Sequence, residues 1–218
     1  MVRVRRNLFE TNSSSTHALC IKNNPTDMEK CFELKYMGTG GNEFGWGAEL
    51  YSDTMSKIVY LGIVAYHIDE VLNPDNSFYG RTTKEFAGDL KHTSKVSELD
   101  WFLGTKLEEV GVEIPSFDKE EKLESIKICV KGGYVDHTSE AMSFYRELMN
   151  NDDLLKRFLF SSQSCIITGN DNDTGYNFGL LSRAYYEGTL KTKETGWGDI
   201  VIDDERIDKD YYVFYKGN

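Results

Sequence analysis

The sequence predicts an α+β fold in one domain, residues 1–218, with a mixed or antiparallel sheet and several helices. The length of 218 residues fits one domain and is sufficient to bury a sizeable core. The 12 Phe, 13 Tyr and 3 Trp residues supply apolar area that offsets the entropy lost on folding. Helical and strand-like apolar patterns both occur, without an internal repeat, and this combination predicts the α+β class.

The first half of the chain is predicted to hold two strands followed by four helices. The second of these helices begins at a Ser52 or Asp53 cap and ends near Leu72, because its apolar residues follow helical spacing closely. The short helix before it has Thr26 or Asp27 as its cap. The strands are predicted over residues 2–9 and 17–22, and the helices over residues 25–34, 52–72, 82–91 and 94–110.

In the second half, β-branched residues first predict a strand. Two helices follow, of which the second has Asn151 or Asp152 as its cap. Polar turns then separate three further strands. The predicted strands cover residues 126–130, 164–168, 199–202 and 211–215, and the helices cover residues 139–149 and 152–160.

The net charge of −11 comes from 25 Lys and Arg residues against 36 Asp and Glu residues. Binding to phosphates over a broad surface needs a basic face, so this balance argues against a non-specific DNA-binding protein. Arg3, Arg5 and Arg6 form the only concentrated basic cluster, and a hydroxyl-rich turn follows them. The acidic residues concentrate in the second half. The net charge is therefore compatible with a small anion-binding site near the N-terminal arginines. It also makes the acidic surface a second candidate site.

Four cysteines are scattered along the chain and form no C-x-x-C pair. Cys20, Cys129 and Cys165 lie in apolar runs, which predicts buried, reduced thiols. The His and Cys spacings match no standard zinc pattern, so no metal ligands are assigned, and no cofactor is identified. No stretch approaches the roughly 20 apolar residues of a membrane span. The chain is therefore expected to be soluble and cytoplasmic, without a membrane partner.

The first candidate site is a hydroxyl-rich turn that ends at a histidine, at the head of an apolar strand. In the functional interpretation His17 is a general acid or base. Neutral donors before it suit a phosphate or another oxyanion. The residues assigned to that role are Asn12, Ser13, Ser15 and Thr16. The alternative is that these side chains only satisfy backbone groups of the turn.

The second candidate site is the exit of the predicted strand 126–130, where Asp136 and His137 are adjacent. Adjacent strand residues face opposite sides of a sheet, so these two need not contact each other. We predict instead that His137 meets His17 across the fold. Two imidazoles can catalyse phosphodiester transesterification without a metal, one accepting a proton and the other donating one. Asp136 would orient a histidine, whereas the alternative is a segment that only caps the next helix.

The third candidate site consists of two polar stretches, residues 161–164 and 168–175. Asp171, in the second stretch, is assigned to phosphate binding or to orienting a histidine. Its spacing to Asp173 resembles a calcium loop, but no Glu occupies the closing position of that template. The alternatives are a run of Asx turns, or one hard cation held by Asp136, Asp171 and Asp173.

Residues 8–17, with the sequence LFETNSSSTH, resemble the opening of a group of uncharacterised proteins from bacteriophages and Gram-positive bacteria. The resemblance covers roughly residues 7–176 and includes weaker matches at residues 43–47, 56–61, 134–139 and 169–172. The group has no established activity. The resemblance implies a phage or prophage setting within a bacterial host cell, with host takeover or counter-defence as roles. Inhibition of the anti-CRISPR type is one example of such a role.

Three functions follow from these features. The favoured one is a phosphodiester-acting hydrolase or nuclease whose ligand is RNA or a nucleotide. The alternative is a non-enzymatic acidic inhibitor, of the anti-CRISPR kind, that binds a host defence nucleoprotein. A third is a sponge that sequesters a nucleotide, with Phe44 and Trp46 stacking on the base.

Overall fold

A computed structural model of the chain describes residues 15–37, 43–45, 49–72, 96–135, 138–170, 192–194, 200–202 and 211–216. The predicted α+β class, with several helices and an antiparallel sheet, is confirmed. The backbone divides into two compact units, each assembled from separate segments of chain. The first contains Met1–Lys30, Glu43–Lys57 and Lys156–Asn218, and the second contains Cys31–Asn42 and Ile58–Leu155.

Antiparallel strands form the framework of the first unit. Its main strands are β1 (Ser15–Lys22), β4 (Leu50–Tyr51), β7 (Cys165–Asn170) and β10 (Tyr211–Lys216). They form one sheet in the order β10–β1–β7–β4. The shorter strands of this unit are β3 (Glu43–Phe44), β8 (Thr192–Glu194) and β9 (Ile200–Ile202), of which β8 and β9 pair antiparallel.

The strand predicted over residues 17–22 is confirmed as β1, which starts two residues earlier and lies between β7 and β10. Leu19, Cys20 and Ile21 are fully buried. Because successive residues of a strand face opposite sides, both faces of β1 are covered at this point. The continuous apolar run therefore reflects a central strand rather than an edge strand.

The second unit is mainly helical. Among the described residues the helices are α1 (Thr54–Leu72), α2 (Glu98–Trp101), α3 (Leu107–Val110), α4 (Lys119–Lys131), α5 (Thr138–Met149) and α6 (Asp152–Phe160). The second unit also holds β6 (Tyr134–Val135) and a parallel pair of β2 (Phe32–Glu33) with β5 (Val112–Glu113). Across the part of the chain that is described, we find no helix with the length and apolarity needed to cross a membrane.

Two helices begin where their capping residues predict. Asp53 Oδ1 accepts a hydrogen bond from Ser56 N at 2.8 Å at the start of α1. Asn151 Oδ1 accepts one from Leu154 N at 3.1 Å at the start of α6. Each cap accepts a hydrogen bond from an N–H group that has no partner within the helix. Because the capping residue is local, the start of each helix can be predicted from the sequence.

The helix predicted over residues 25–34 is wrong, because these residues form turns and extended chain that lead into β2. The backbone N of Thr26 donates to the Gln163 side chain at 3.0 Å. Asp27, the other predicted cap, bonds with the same turn before β7. Long-range partners therefore take the groups that would have started a helix.

The strand predicted over residues 126–130 is also wrong, because these residues lie within α4. Ile126, Cys129 and Val130 are fully buried. Their spacing of three and four residues places them on one helical face. Burial of this face outweighs the strand preference of β-branched side chains, which is a weak and context-dependent effect.

The helix predicted over residues 94–110 begins later and is interrupted. Ser97 Oγ caps α2 by accepting a hydrogen bond from Asp100 N at 3.1 Å. A π-helical turn, Phe102–Lys106, then separates α2 from α3. Gly111 ends α3 with φ of 107°, a left-handed conformation that favours glycine. The strand predicted over residues 2–9 and the helix predicted over residues 82–91 lie outside the described residues.

Gly62 of α1 closely approaches Val130 of α4, since a Cβ placed at Gly62 would lie 2.7 Å from Val130 Cγ2. We expect Gly62→Ala to lower the free energy of unfolding by about 1–3 kcal/mol, because overpacking forces Val130 to shift. Gly104→Ala is the matched control, since nothing lies within 4 Å of a Cβ at that position. There we expect stabilisation by about 0.5–1 kcal/mol. Equal effects of the two substitutions in urea unfolding would contradict the packing.

Candidate functional site

The first and third candidate segments meet at one end of the sheet. In the register of β1 and β7, Ser15 lies opposite Asn170 and His17 lies opposite Thr168. On the other side of β1, His17 lies opposite Lys216 of β10. A hydroxyl residue and a cationic residue therefore flank the histidine, on strands about 5 Å away on either side. We call this end of the sheet (residues 15–17, 168–170 and 216) the His17 edge.

The residue types of the His17 edge suit an anionic ligand. Histidine exchanges a proton near neutral pH, and hydroxyl and amide groups donate hydrogen bonds without a net charge. Thr16 lies opposite Gly169 in the same register, which adds a further hydroxyl residue to this end of the sheet. The backbone of Thr168 is held in place, since its N–H donates to Glu49 O at 2.9 Å. A phosphate group matches this combination of residue types.

The other predicted site residues lie outside the described part of the chain: Asn12, Ser13, Asp136, His137 and Asp171. The meeting of His17 with His137 therefore stays a prediction, and so does the role of Asp136. Asp171 directly follows Asn170, the last residue of β7. The proposed cation site involving Asp173 falls on the same undescribed segment.

The two polar stretches of the third candidate site are separated by β7. Residues 161–164 precede the strand and Asn170 ends it, so about 20 Å of extended chain lies between them. The hydroxyl of Ser164 accepts a hydrogen bond from Lys22 N at 3.0 Å and donates one to Arg157 O at 2.8 Å. The serines before β7 therefore bond within the chain and do not belong to the His17 edge.

A carboxylate is held at the turn before β7. Asp27 accepts hydrogen bonds from the hydroxyls of Ser161 and Ser162, both at 2.5 Å, and from Ser162 N at 2.8 Å. Burial opposes ionisation of the carboxyl. The hydrogen bonds from the two serines outweigh it and hold the pKa of Asp27 below its usual value. The turn therefore binds an anionic group that the chain itself supplies.

A buried lysine contacts the backbone of this turn. Lys57, at the start of α1, is fully buried and its Nζ donates to Ser161 O at 2.8 Å. The same Nζ lies 5.6 Å from the centre of the Phe158 ring. Burial lowers the pKa of Lys57 to about 8, although Cys165 and three carboxylates of the first unit act in the opposite direction. The group therefore titrates much closer to neutral pH than an ordinary lysine.

Sequence reasoning missed Lys57 and assigned Asp27 only to a helix cap. A signal for Lys57 is present, because helical spacing places it on one face with Leu61 and Val64, which are fully buried. A lysine on an apolar helical face is a candidate buried cation. No comparable signal exists for Asp27, because its serine partners are more than 130 residues away along the chain.

The second unit holds a buried carboxyl group, that of Glu98, and the partly buried Asp69 bonds to the backbone beside it. The Asp69 carboxylate accepts hydrogen bonds from Glu98 N at 2.6 Å and Leu99 N at 3.0 Å, at the start of α2. Tyr145 OH donates to Glu98 Oε1 at 2.6 Å, and Glu98 is only 4 % exposed. Burial, with a contribution from the Asp69 charge, raises the pKa of Glu98 to about 7, although the Tyr145 bond opposes the shift.

The described residues give no support for a metal centre, since no group of three or more His, Cys, Asp or Glu among them could hold an ion. The predicted burial of Cys20, Cys129 and Cys165 is confirmed, whereas Cys31 is exposed. The serine-rich stretch 161–164 precedes Cys165, a pattern that would also fit a nucleophilic cysteine. Its complete burial makes it inaccessible to a large substrate.

Some of the aromatic and acidic residues that favoured the alternative functions make contacts within the protein itself. Phe44 is 1 % exposed and its ring centre lies 4.8 Å from that of Tyr51, so it cannot stack on a ligand base. The acid-rich stretch 106–124 is partly neutralised by its own lysines: Lys119 pairs with Glu108 at 2.5 Å, and Lys122 pairs with Asp118 at 3.6 Å. Trp46 and the acidic segment 203–210 lie outside the described residues.

Comparison of the chain with known protein families, with curated proteins and with solved structures finds no match in any of the three. A functional assignment therefore rests on the residues themselves.

Proposed function

We propose that the chain binds a phosphate-containing ligand at the His17 edge and acts on it as a phosphodiester hydrolase or nuclease. The observation that carries the proposal is the register of the sheet, in which His17 lies between Thr168 and Lys216 while Ser15 lies opposite Asn170. Two segments selected from the sequence for phosphate chemistry are thereby adjacent in space. The acidic composition of the chain is compatible with such a site, because binding one phosphate group requires positive charge from only a few nearby residues.

In this proposal His17 transfers a proton to or from the reacting phosphodiester. Ser15, with Asn12 and Ser13 before it, donates hydrogen bonds to the phosphate oxygens, and Lys216 offsets their charge. Thr16 occupies the alternate position of β1, so its proposed role is to bind a phosphate oxygen reached from the other face of the strand. His137 is the proposed second proton-transfer group, oriented by Asp136, and Asp171 is proposed to support phosphate binding. RNA or a nucleotide is the proposed substrate. The phage-like N-terminal segment supports host takeover or counter-defence as the cellular role.

The proposal is tested with bis(4-nitrophenyl) phosphate and a short fluorescent RNA as substrates. We expect His17→Asn to lower kcat/KM by about 10²-fold or more, the contribution typical of a proton-transfer group. Lys22→Ala is the matched control, because Lys22 lies on the same strand at the opposite end of β1. We expect the control to retain wild-type kcat/KM, and urea unfolding of both variants to report whether the fold is retained.

Wild-type turnover by a folded His17→Asn variant would contradict the catalytic role. A protein that binds the RNA but returns it intact would instead support a sequestering function at the same edge. Loss of RNA binding in Lys216→Ala, without a change in Lys22→Ala, would localise that binding to the His17 edge.

A further inference from the structure

Cys20 and Cys165 occupy directly opposed positions on β1 and β7. Opposed residues of antiparallel strands have Cα atoms about 4.5–5.5 Å apart. A disulfide joins Cα atoms about 4.4–6.8 Å apart, so these cysteines can be linked without a large backbone movement. The two thiols already hydrogen-bond with each other. The pair is therefore arranged for disulfide formation while both members are reduced.

The pair is buried but lies at the end of the ladder between the two strands. Both cysteines are fully buried, and Cys20 opposite Cys165 is the last pair in the β1–β7 register. The end of a ladder opens by local fluctuation more readily than its centre. A small oxidant therefore reaches the pair through limited opening, whereas a bulky thiol reagent needs a larger one.

The surroundings distinguish the two thiols. The hydrogen bond with Cys165, together with burial, raises the pKa of Cys20. A raised pKa disfavours the thiolate, which is the reactive form of cysteine, so of these two thiols we assign the first reaction to Cys165 and the resolving role to Cys20.

We propose that Cys20 and Cys165 form a redox modification site, which hydrogen peroxide or another hydroperoxide converts into a cross-strand disulfide. The Cys165 thiolate attacks a peroxide oxygen and becomes a sulfenic acid, while the other oxygen leaves as hydroxide and takes up a proton as water. The Cys20 sulfur then attacks the Cys165 sulfur and releases a second water. In total, two thiols and one hydrogen peroxide give one disulfide and two waters, with two electrons passing from sulfur to peroxide.

The register also makes the disulfide easy to reduce. Thr168 N–H donates to Glu49 on the β4 side of β7. Successive residues of a strand direct their N–H groups to opposite neighbours, so Cys165 directs its group to β1 and forms a hydrogen-bonded pair with Cys20. Cβ atoms in such a pair lie about 5 Å apart, against about 3.8 Å in a relaxed disulfide. The resulting strain favours reduction and makes the modification reversible.

The test uses the full-length protein treated with hydrogen peroxide, quenched with catalase, denatured and alkylated with N-ethylmaleimide. We expect the loss of two of the three buried thiols of the chain and a linked peptide containing Cys20 and Cys165. We also expect full recovery of both thiols after treatment with reduced glutathione. Cys31→Ser serves as the background, because it removes the exposed thiol that would otherwise react first.

Cys129→Ser in that background is the matched control, since Cys129 is equally buried on α4, and we expect the same linked peptide. In Cys20→Ser we expect Cys165 to accumulate as a sulfenic acid that dimedone traps. Complete alkylation of Cys20 and Cys165 in the wild-type chain, after peroxide that consumes Cys31, would overturn the proposal. A linked peptide containing Cys129 would also overturn it. Peptide mapping of the wild-type chain decides the outcome even where a variant fails to fold.

Discussion

Replacing Lys57 with methionine is expected to remove a stability gain of about 3 kcal/mol that the wild-type protein shows as pH rises from about 8 to 10.5. Burial lowers the pKa of Lys57 to about 8, against 10.5 for an ordinary lysine. Between these values the unfolded chain binds the proton and the folded chain does not. Stability therefore rises with pH through this window, and below pH 8 the folded state bears the full cost of a buried ammonium group.

The measurement is urea unfolding of wild type and Lys57→Met at pH 7, 8.5 and 10. The difference between the two plots of unfolding free energy against pH cancels the contribution of every other titratable group, because both proteins contain those groups. Lys35→Met is the control, because Lys35 is exposed and its removal should leave the slope unchanged. A difference between wild type and Lys57→Met that stays constant from pH 7 to pH 10 would show that Lys57 is not desolvated as described.

Glu98→Gln is expected to stabilise the protein by up to about 3 kcal/mol at pH 8 and to have little effect at pH 4. Burial raises the pKa of Glu98 to about 7, against 4.5 for an ordinary glutamate. Between these values the folded chain binds the proton and the unfolded chain does not, so stability falls as pH rises. Glutamine removes this titration and keeps an oxygen that accepts the hydrogen bond from Tyr145.

Thermal or urea unfolding between pH 4 and 8 measures this effect, with Glu113→Gln as the matched control at an exposed position. The control should follow the wild-type curve. A Glu98→Gln variant that is less stable than wild type at pH 8 would mean that the ionised carboxylate stabilises the fold. That result would contradict the burial argument, in which desolvation of the carboxylate outweighs the hydrogen bond from Tyr145.

The candidate site was partly legible from the sequence. His17 and the hydroxyl residues before it were selected because a polar turn at the head of a strand is a local pattern. Their adjacency to the end of β7 was not predictable, because strands that pair across about 150 residues carry no local sequence pattern that identifies the partner. The misassigned segment 126–130 shows the same limit, since only packing decides whether a short apolar run is a strand or a helical face.

The sequence by itself determined the elements whose signals are local. The caps at Asp53 and Asn151 and the apolar spacing behind them define α1 and α6, because a helix satisfies its backbone bonds within a few residues. The tertiary structure alone decided the protonation behaviour of Lys57 and Glu98 and the pairing of Cys20 with Cys165. Desolvation and strand register depend on groups far along the chain, which become neighbours only after folding.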